Sequence, residues 1–137
     1  MGQDAGHPRL VTVEITWEQC QRIYSQQVHA GLLLDEGKLR GALCAPFLGF
    51  DGHEAHPTLP GKAAKLIAAV ATAHAYRDGN KRLAWHLGVA FLELNGLLVV
   101  AEQEDAANAV LMVVMNVWRN EELAEWLIEH TEMIRAE

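Results

Sequence analysis

The run His74-Ala75-Tyr76-Arg77-Asp78-Gly79-Asn80-Lys81-Arg82 gathers a proton acceptor, a hard carboxylate and several phosphate-seeking groups into nine residues. Moving a phosphoryl or nucleotidyl group onto a hydroxyl requires a base beside the nucleophile and neutralisation of the phosphate charge. His74 is the natural base, because its imidazole is the side chain of this run that exchanges protons near neutrality. Asp78 is an oxygen ligand suited to Mg2+, a cation that also bridges phosphates. Gly79 lets backbone N–H groups come close to a phosphate with no side chain in the way. Asn80 adds an amide donor, Arg82 a planar fork for two oxygens, and Lys81 a mobile point charge.

The elements around this run must hold those groups in place. Ala63, Ile67, Val70 and His74 recur at helical spacing, which predicts a helix from about 61 to 74 with the histidine at the end of a buried stripe. Leu83, Leu87, Ala90, Phe91 and Leu94 predict a second helix from about 80 to 95, closed by Asn95-Gly96. A tight turn at Asp78-Gly79 joins the two. Helix N-termini attract anions through unpaired N–H groups and the helix dipole. Lys81 and Arg82 oppose that dipole by about 0.3–1 kcal/mol each, so something anionic is expected beside them. It is either a nucleotide phosphate or Asp78 acting as a cap. Tyr76 reads as the apolar anchor of the turn.

The motif His-x-Tyr-x-Asp-Gly-Asn-Lys-Arg resembles the signature of Fic/Doc proteins, His-x-Phe-x-(Asp/Glu)-Gly-Asn-x-Arg. Lys81 resembles the Doc (death-on-curing) branch, where the wider family usually has glycine. Phe91-Leu92-Glu93-Leu94-Asn95-Gly96, Pro57-Thr58-Leu59 with Lys62-Ala63-Ala64, and Leu34-Asp35-Glu36-Gly37-Lys38-Leu39 are similar to Doc sequences too. The likeness therefore runs from about 15 to about 129. It implies a Fic fold, ATP as substrate, Mg2+ at Asp78, His74 as the catalytic base, and Gly79, Asn80, Lys81 and Arg82 as the phosphate cradle. It also implies a type II toxin that passes the γ-phosphoryl group of ATP to a threonine of elongation factor Tu and stalls translation.

Trp85 stands where many AMP-transferring members have a second arginine. With Lys81, it favours phosphoryl over nucleotidyl transfer. AMP transfer to another protein is the alternative, and a catalytically silent binding module is a third reading. Many members carry an inhibitory (Ser/Thr)-x-x-x-Glu-(Gly/Asn) pattern, but here Leu32 precedes Glu36-Gly37. The resemblance then implies a Phd-type antitoxin acting in trans. The family's target-aligning flap corresponds to the stretch 45–60. Phe47, Leu48 and Phe50 are its candidate target-binding residues, or else pack on the core.

With 137 residues, half of them hydrophobic, the chain is expected to form one compact domain over 11–137 after a flexible tail at 1–10. A net charge of −7 argues against direct nucleic-acid binding. Lys62, Lys65, Lys81 and Arg82 read as a local positive site for a small anion. Cys20 and Cys44 have no metal or redox spacing and read as half-buried residues in a reducing cytoplasm. No apolar stretch has the length of a membrane span.

Elsewhere, 11–15 alternates like a short strand, and Thr16 with Gln19 predicts a capping box for a helix reaching Gly31. A brief helix is expected at 36–43. Ala106, Val110, Val113, Val114 and Val117 mark another. Asn120 is expected to cap a last helix with Leu123, Trp126, Leu127 and Ile134 inward. His86 lies off the apolar stripe and reads as a solvated surface residue, with approach to the site as the alternative; Trp118 and Trp126 read as core. His53-Glu54-Ala55-His56 lacks the spacing of a helical zinc site. The sum is an all-α, compact bundle of about six helices with at most a short β-hairpin.

Overall fold

The computed structural model describes residues 11–134, and the expected tail at 1–10 lies outside them. Six α-helices occupy the described residues: α1 (Trp17–Ile23), α2 (Glu36–Cys44), α3 (Leu59–Ala73), α4 (Asn80–Leu94), α5 (Gln103–Val114) and α6 (Asn120–Glu129). A hairpin of β1 (Gly49–Phe50) and β2 (His53–Glu54) leads into α3. A second antiparallel pair, β3 (Leu97–Val99) with β4 (Thr131–Met133), ties the end of α4 to the end of α6. The all-α bundle expected from the sequence is the observed architecture.

The helix ends follow from local chemistry. Thr16 Oγ1 accepts from the Gln19 N–H at 3.1 Å and Gln19 Oε1 accepts from the Thr16 N–H at 2.8 Å, completing the predicted capping box of α1. This helix continues as one wider π-helical turn, Tyr24–Val28, and stops where His29 turns left-handed. Thr58 caps α3 by accepting from the Gly61 N–H at 3.0 Å. Pro60 is tolerated in that first turn because its missing N–H would have no intrahelical partner there.

α3 forms the centre of the core and packs most extensively on α4, with α6, α2 and α5 around it. Ala63, Ala64, Leu66, Ile67, Val70 and Ala71 are all buried. Leu83, Leu87, Phe91 and Leu92 of α4 face them, and Leu123 and Leu127 of α6 close the other side. Burial of each large side chain contributes about 1.5–3 kcal/mol. The close α3–α4 approach depends on Gly88, where a Cβ would lie 2.6 Å from the Ile67 side chain.

Several expectations are corrected. No strand forms at 11–15; instead Val13 exchanges two hydrogen bonds with the Asn95 side chain, at 2.7 and 2.9 Å. Val117 and Ile134 lie beyond their helices and are exposed. Asn120 begins α6 rather than capping it, and its side chain reaches across to His56 and the Gly61 carbonyl. Trp118 and Trp126 are only partly buried against the core. The two cysteines are not alike: Cys20 is wholly buried, which pushes its thiol up to about 12, whereas Cys44 is exposed. Among the described residues no helix is long and apolar enough to cross a membrane.

Candidate functional site

α3 stops at Ala73 because His74 adopts the left-handed conformation, with φ of 53°. A non-glycine residue pays about 1–2 kcal/mol for that geometry. The turn also carries the imidazole off the buried stripe and into solvent, where it has no hydrogen-bond partner among the described residues. The expectation that this histidine closes the buried stripe is therefore corrected.

Residues 75–77 then run extended beside residues 32–34. Leu33 and Tyr76 face each other in antiparallel register. The Leu34 N–H donates to the Ala75 carbonyl at 2.7 Å, and the Arg77 N–H to the Leu32 carbonyl at 2.8 Å. On the far edge of Tyr76, the Asn80 side chain takes the place of a third strand. Its Oδ1 accepts from the Tyr76 N–H at 3.0 Å and its Nδ2 donates to the Tyr76 carbonyl at 2.8 Å. One amide hydrogen of Asn80 is thus taken by the loop itself, and the other has no partner among the described residues.

Tyr76 is buried and stacks on Tyr24 with 3.6 Å between ring centroids. Burial, with the neighbouring Cys20 and Tyr24, pushes its phenol up to about 12. The Tyr24 hydroxyl donates to the Asp78 carbonyl at 2.9 Å, pinning the turn from below. Gly79 has φ of 82°, and a Cβ on it would collide with Val28 and crowd Ala30. Packing against the turn after α1 therefore demands this glycine as much as its φ does. Asp78 Oδ1 accepts from the Gly79 N–H at 2.8 Å, and the carboxylate stays exposed.

These residues surround a cleft of about 340 Å³, lined by His74, Arg77 and residues 78–82 over Ala71 and Val114. Three cations thus converge on a site of one carboxylate, in a chain whose net charge is −7. Arg77 is a contributor that the sequence reading passed over, although it lies inside the motif. Past Lys81 and Arg82, which line both spaces, opens a larger and mostly apolar cavity of about 570 Å³ between α4 and α5. Trp85, His86, Val110 and Leu111 line it. Trp85 is fixed edge-on against Trp126, 6.0 Å between centroids. His86 is a cavity residue and not a solvated one; burial and then Arg82 hold its imidazole below the usual value.

No hairpin residue lines this cleft. Lys62 is buried at 2% exposure; its Nζ donates to Glu54 Oε1 at 2.6 Å and to the His56 carbonyl. It belongs to the hairpin's root rather than to the positive site. From Lys62 to Ala73 the helix rises about 16 Å. Phe47 packs edge-on against Phe91, 6.0 Å between centroids, while Leu48 and Phe50 are 61% and 81% exposed. Among the described residues no three His, Cys, Asp or Glu side chains converge as a metal site. Asp78 alone suits Mg2+ that arrives with a nucleotide, because this ion keeps waters and phosphate oxygens beside one or two carboxylates.

The helical domain thus sets a left-handed histidine beside a cation-lined cleft and an adjoining apolar cavity. The family model described as Fic/DOC family matches residues 11–92, and the chain belongs to that family. Toxin Doc of Mycolicibacterium smegmatis (strain ATCC 700084 / mc(2)155) is 40% identical over 81 residues. That match covers 56% of this chain and 62% of the relative, less than two thirds of its length.

Proposed function

We propose that this protein is a Doc-like toxin that transfers the γ-phosphoryl group of ATP to a hydroxyl side chain, a threonine, of elongation factor Tu in the cytoplasm and so blocks translation. The observation that carries this reading is the order of groups across the start of α4. His74 stands at one end, the cations Lys81 and Arg82 lie in the middle, and the Trp85 cavity lies at the other end. A nucleotide with its base on Trp85 and its phosphates between the cations directs its terminal phosphate at His74. The opposite polarity would place a base in the small charged cleft and a triphosphate in the apolar cavity, which both spaces disfavour.

In the transfer, His74 accepts the proton of the acceptor hydroxyl and that oxygen attacks the γ-phosphorus. The bond from the γ-phosphorus to the β–γ bridging oxygen breaks, and ADP leaves. Arg82, Lys81 and the remaining amide hydrogen of Asn80 bear the charge of the phosphates. Mg2+, when bound at Asp78, supplies further neutralisation of that charge. The name of the mycobacterial relative supports a toxin, and with it inhibition by a Phd-type antitoxin acting in trans.

Purified protein, Mg2+, elongation factor Tu and ATP labelled at either the α- or the γ-phosphate test the reading. Label from the γ-position only, lost in His74→Ala, is the expected result. Label from the α-position would assign nucleotidyl transfer instead, and the polarity argued above would be wrong.

A further inference from the structure

The three cations of the charged cleft do not line it alike. Lys81 and Arg82 are shared with the apolar cavity, whereas Arg77 borders only the cleft that holds His74. Arg77 is exposed, and its guanidinium has no hydrogen-bond or ion-pair partner among the described residues, where the ion pairs are Arg40–Glu36 and Lys62–Glu54. In a chain with 18 Asp and Glu, a guanidinium left unpaired beside two further cations is set for an anion from outside. Its root is fixed. The Arg77 N–H donates to the Leu32 carbonyl at 2.8 Å, and Asn80 and Tyr24 hold the residues on either side of it. Successive residues of an extended segment face opposite ways, so the burial of Tyr76 sends Arg77 outward. Gly31 passes close alongside, where a Cβ would lie 3.2 Å from the Arg77 Cβ.

We propose, resting on the polarity of transfer argued above, that Arg77 holds the γ-phosphoryl group of ATP and bears its charge as it moves to the acceptor hydroxyl. Position decides between the phosphates. A nucleotide with its base on Trp85 passes Lys81 and Arg82 with its inner phosphates, because these two residues border both spaces. Its terminal phosphate enters the cleft, where Arg77 and His74 meet it. The moving group spreads its charge over its three outer oxygens. Lys81 and Arg82 stay with the ADP that leaves, while the planar fork of Arg77 donates to two oxygens of the group that is transferred. No bond to Arg77 forms or breaks, and the hydroxyl proton goes to His74. The same contact selects substrate over product, since ADP has no group that reaches Arg77.

Calorimetry with ATP and with ADP, each with Mg2+ and without elongation factor Tu, compares wild type with Arg77→Gln and Arg82→Gln. Arg77→Gln is expected to weaken ATP about tenfold, the loss of a charge-assisted pair, and to leave ADP unchanged. Arg82→Gln weakens both nucleotides. With elongation factor Tu and γ-labelled ATP, Arg77→Gln lowers kcat by about 10²-fold. Arg77→Lys recovers part of that loss, because a point charge replaces the fork. Equal weakening of ATP and ADP, which a merely structural role would give, would overturn the γ-phosphate contact while leaving the transferase reading intact. So would a raised KM for elongation factor Tu with kcat and ATP affinity unchanged, which would assign Arg77 to the target's surface. Transfer of the α-label by the wild type would overturn the transferase reading itself, and the role of Arg77 with it.

Discussion

The two ends of α3 are built on opposite plans. At its C-terminal end the motif loop is held by main-chain bonds to residues 32–35, by the Asn80 clasp and by the stacked tyrosines. At its N-terminal end the hairpin has a two-residue ladder and one buried ammonium, Lys62, beneath it. Many small bonds over-determine the first end; at the second, the hairpin rests on Lys62, while Thr58 and Asn120 hold the start of α3. Preorganised charge-stabilising groups gain most when they do not reorganise during reaction. The more heavily bonded end is accordingly the one to which the proposed transfer is assigned.

Separating conformation from chemistry at His74 tests the more heavily bonded end most severely. His74→Gly is expected to lower transfer by about 10²–10⁴-fold, the usual contribution of a general base. The same change relieves the left-handed strain and should raise unfolding free energy by about 1 kcal/mol. Label transfer and urea denaturation read the two effects on one variant, and a parallel fall in both would mean that the histidine serves the fold. Asn80→Ala comes next. It leaves the Tyr76 N–H and C=O unpaired and should cost roughly 1–3 kcal/mol, with weaker ATP binding by calorimetry. Unchanged stability would show that the loop does not need its clasp.

The hairpin end should respond more weakly and in an unusual order. Glu54→Ala strands the buried Lys62 ammonium with only the His56 carbonyl, for a loss of about 2 kcal/mol. Lys62→Met removes the charge from the interior, and Glu54 is exposed enough to hydrate. That variant should stay within about 1 kcal/mol of wild type while amide exchange in the hairpin quickens. The comparison breaks if Lys62→Met proves the more damaging of the two.

Acidification should give the smallest effect. His56 is held below its usual value by burial, then by Lys65 and Lys62, with Glu121 opposing. The unfolded chain therefore binds this proton more readily than the folded one. The stabilising contribution is complete above the unfolded value of 6.5 and is lost as pH falls through the lower folded value. Denaturation at successive pH values, wild type against His56→Asn, should show a shallower acid loss in the variant.

The same contrast decides what was legible in the sequence. The motif end could be read because its groups are fixed by spacing along the chain: His74, Asp78, Gly79 and Asn80 occupy one turn between two periodic helices. Thr16 with Gln19 was legible for the same reason. What escaped depends on distant partners. Tyr24 under Tyr76, Leu33 beside the motif, Trp85 facing α5 and Lys62 beneath the hairpin are set by tertiary packing, which periodicity does not encode. His74 departed from its stripe because a single left-handed residue ends the helical phase, and Phe47 parted from Leu48 and Phe50 because only its ring reaches Phe91.

Cys20 lies fully buried one turn before Tyr24, close enough to the tyrosine stack to bear on Tyr76. Its sulfur is buried, while Cys44 is open to reagents. A maleimide dye should therefore modify the protein in two phases: a prompt one at Cys44, and a slow one whose rate counts how often the floor of the catalytic loop comes apart. ATP, by tightening the loop, would slow that second phase. The slow phase would thus serve as an internal stopwatch for opening beside the motif loop.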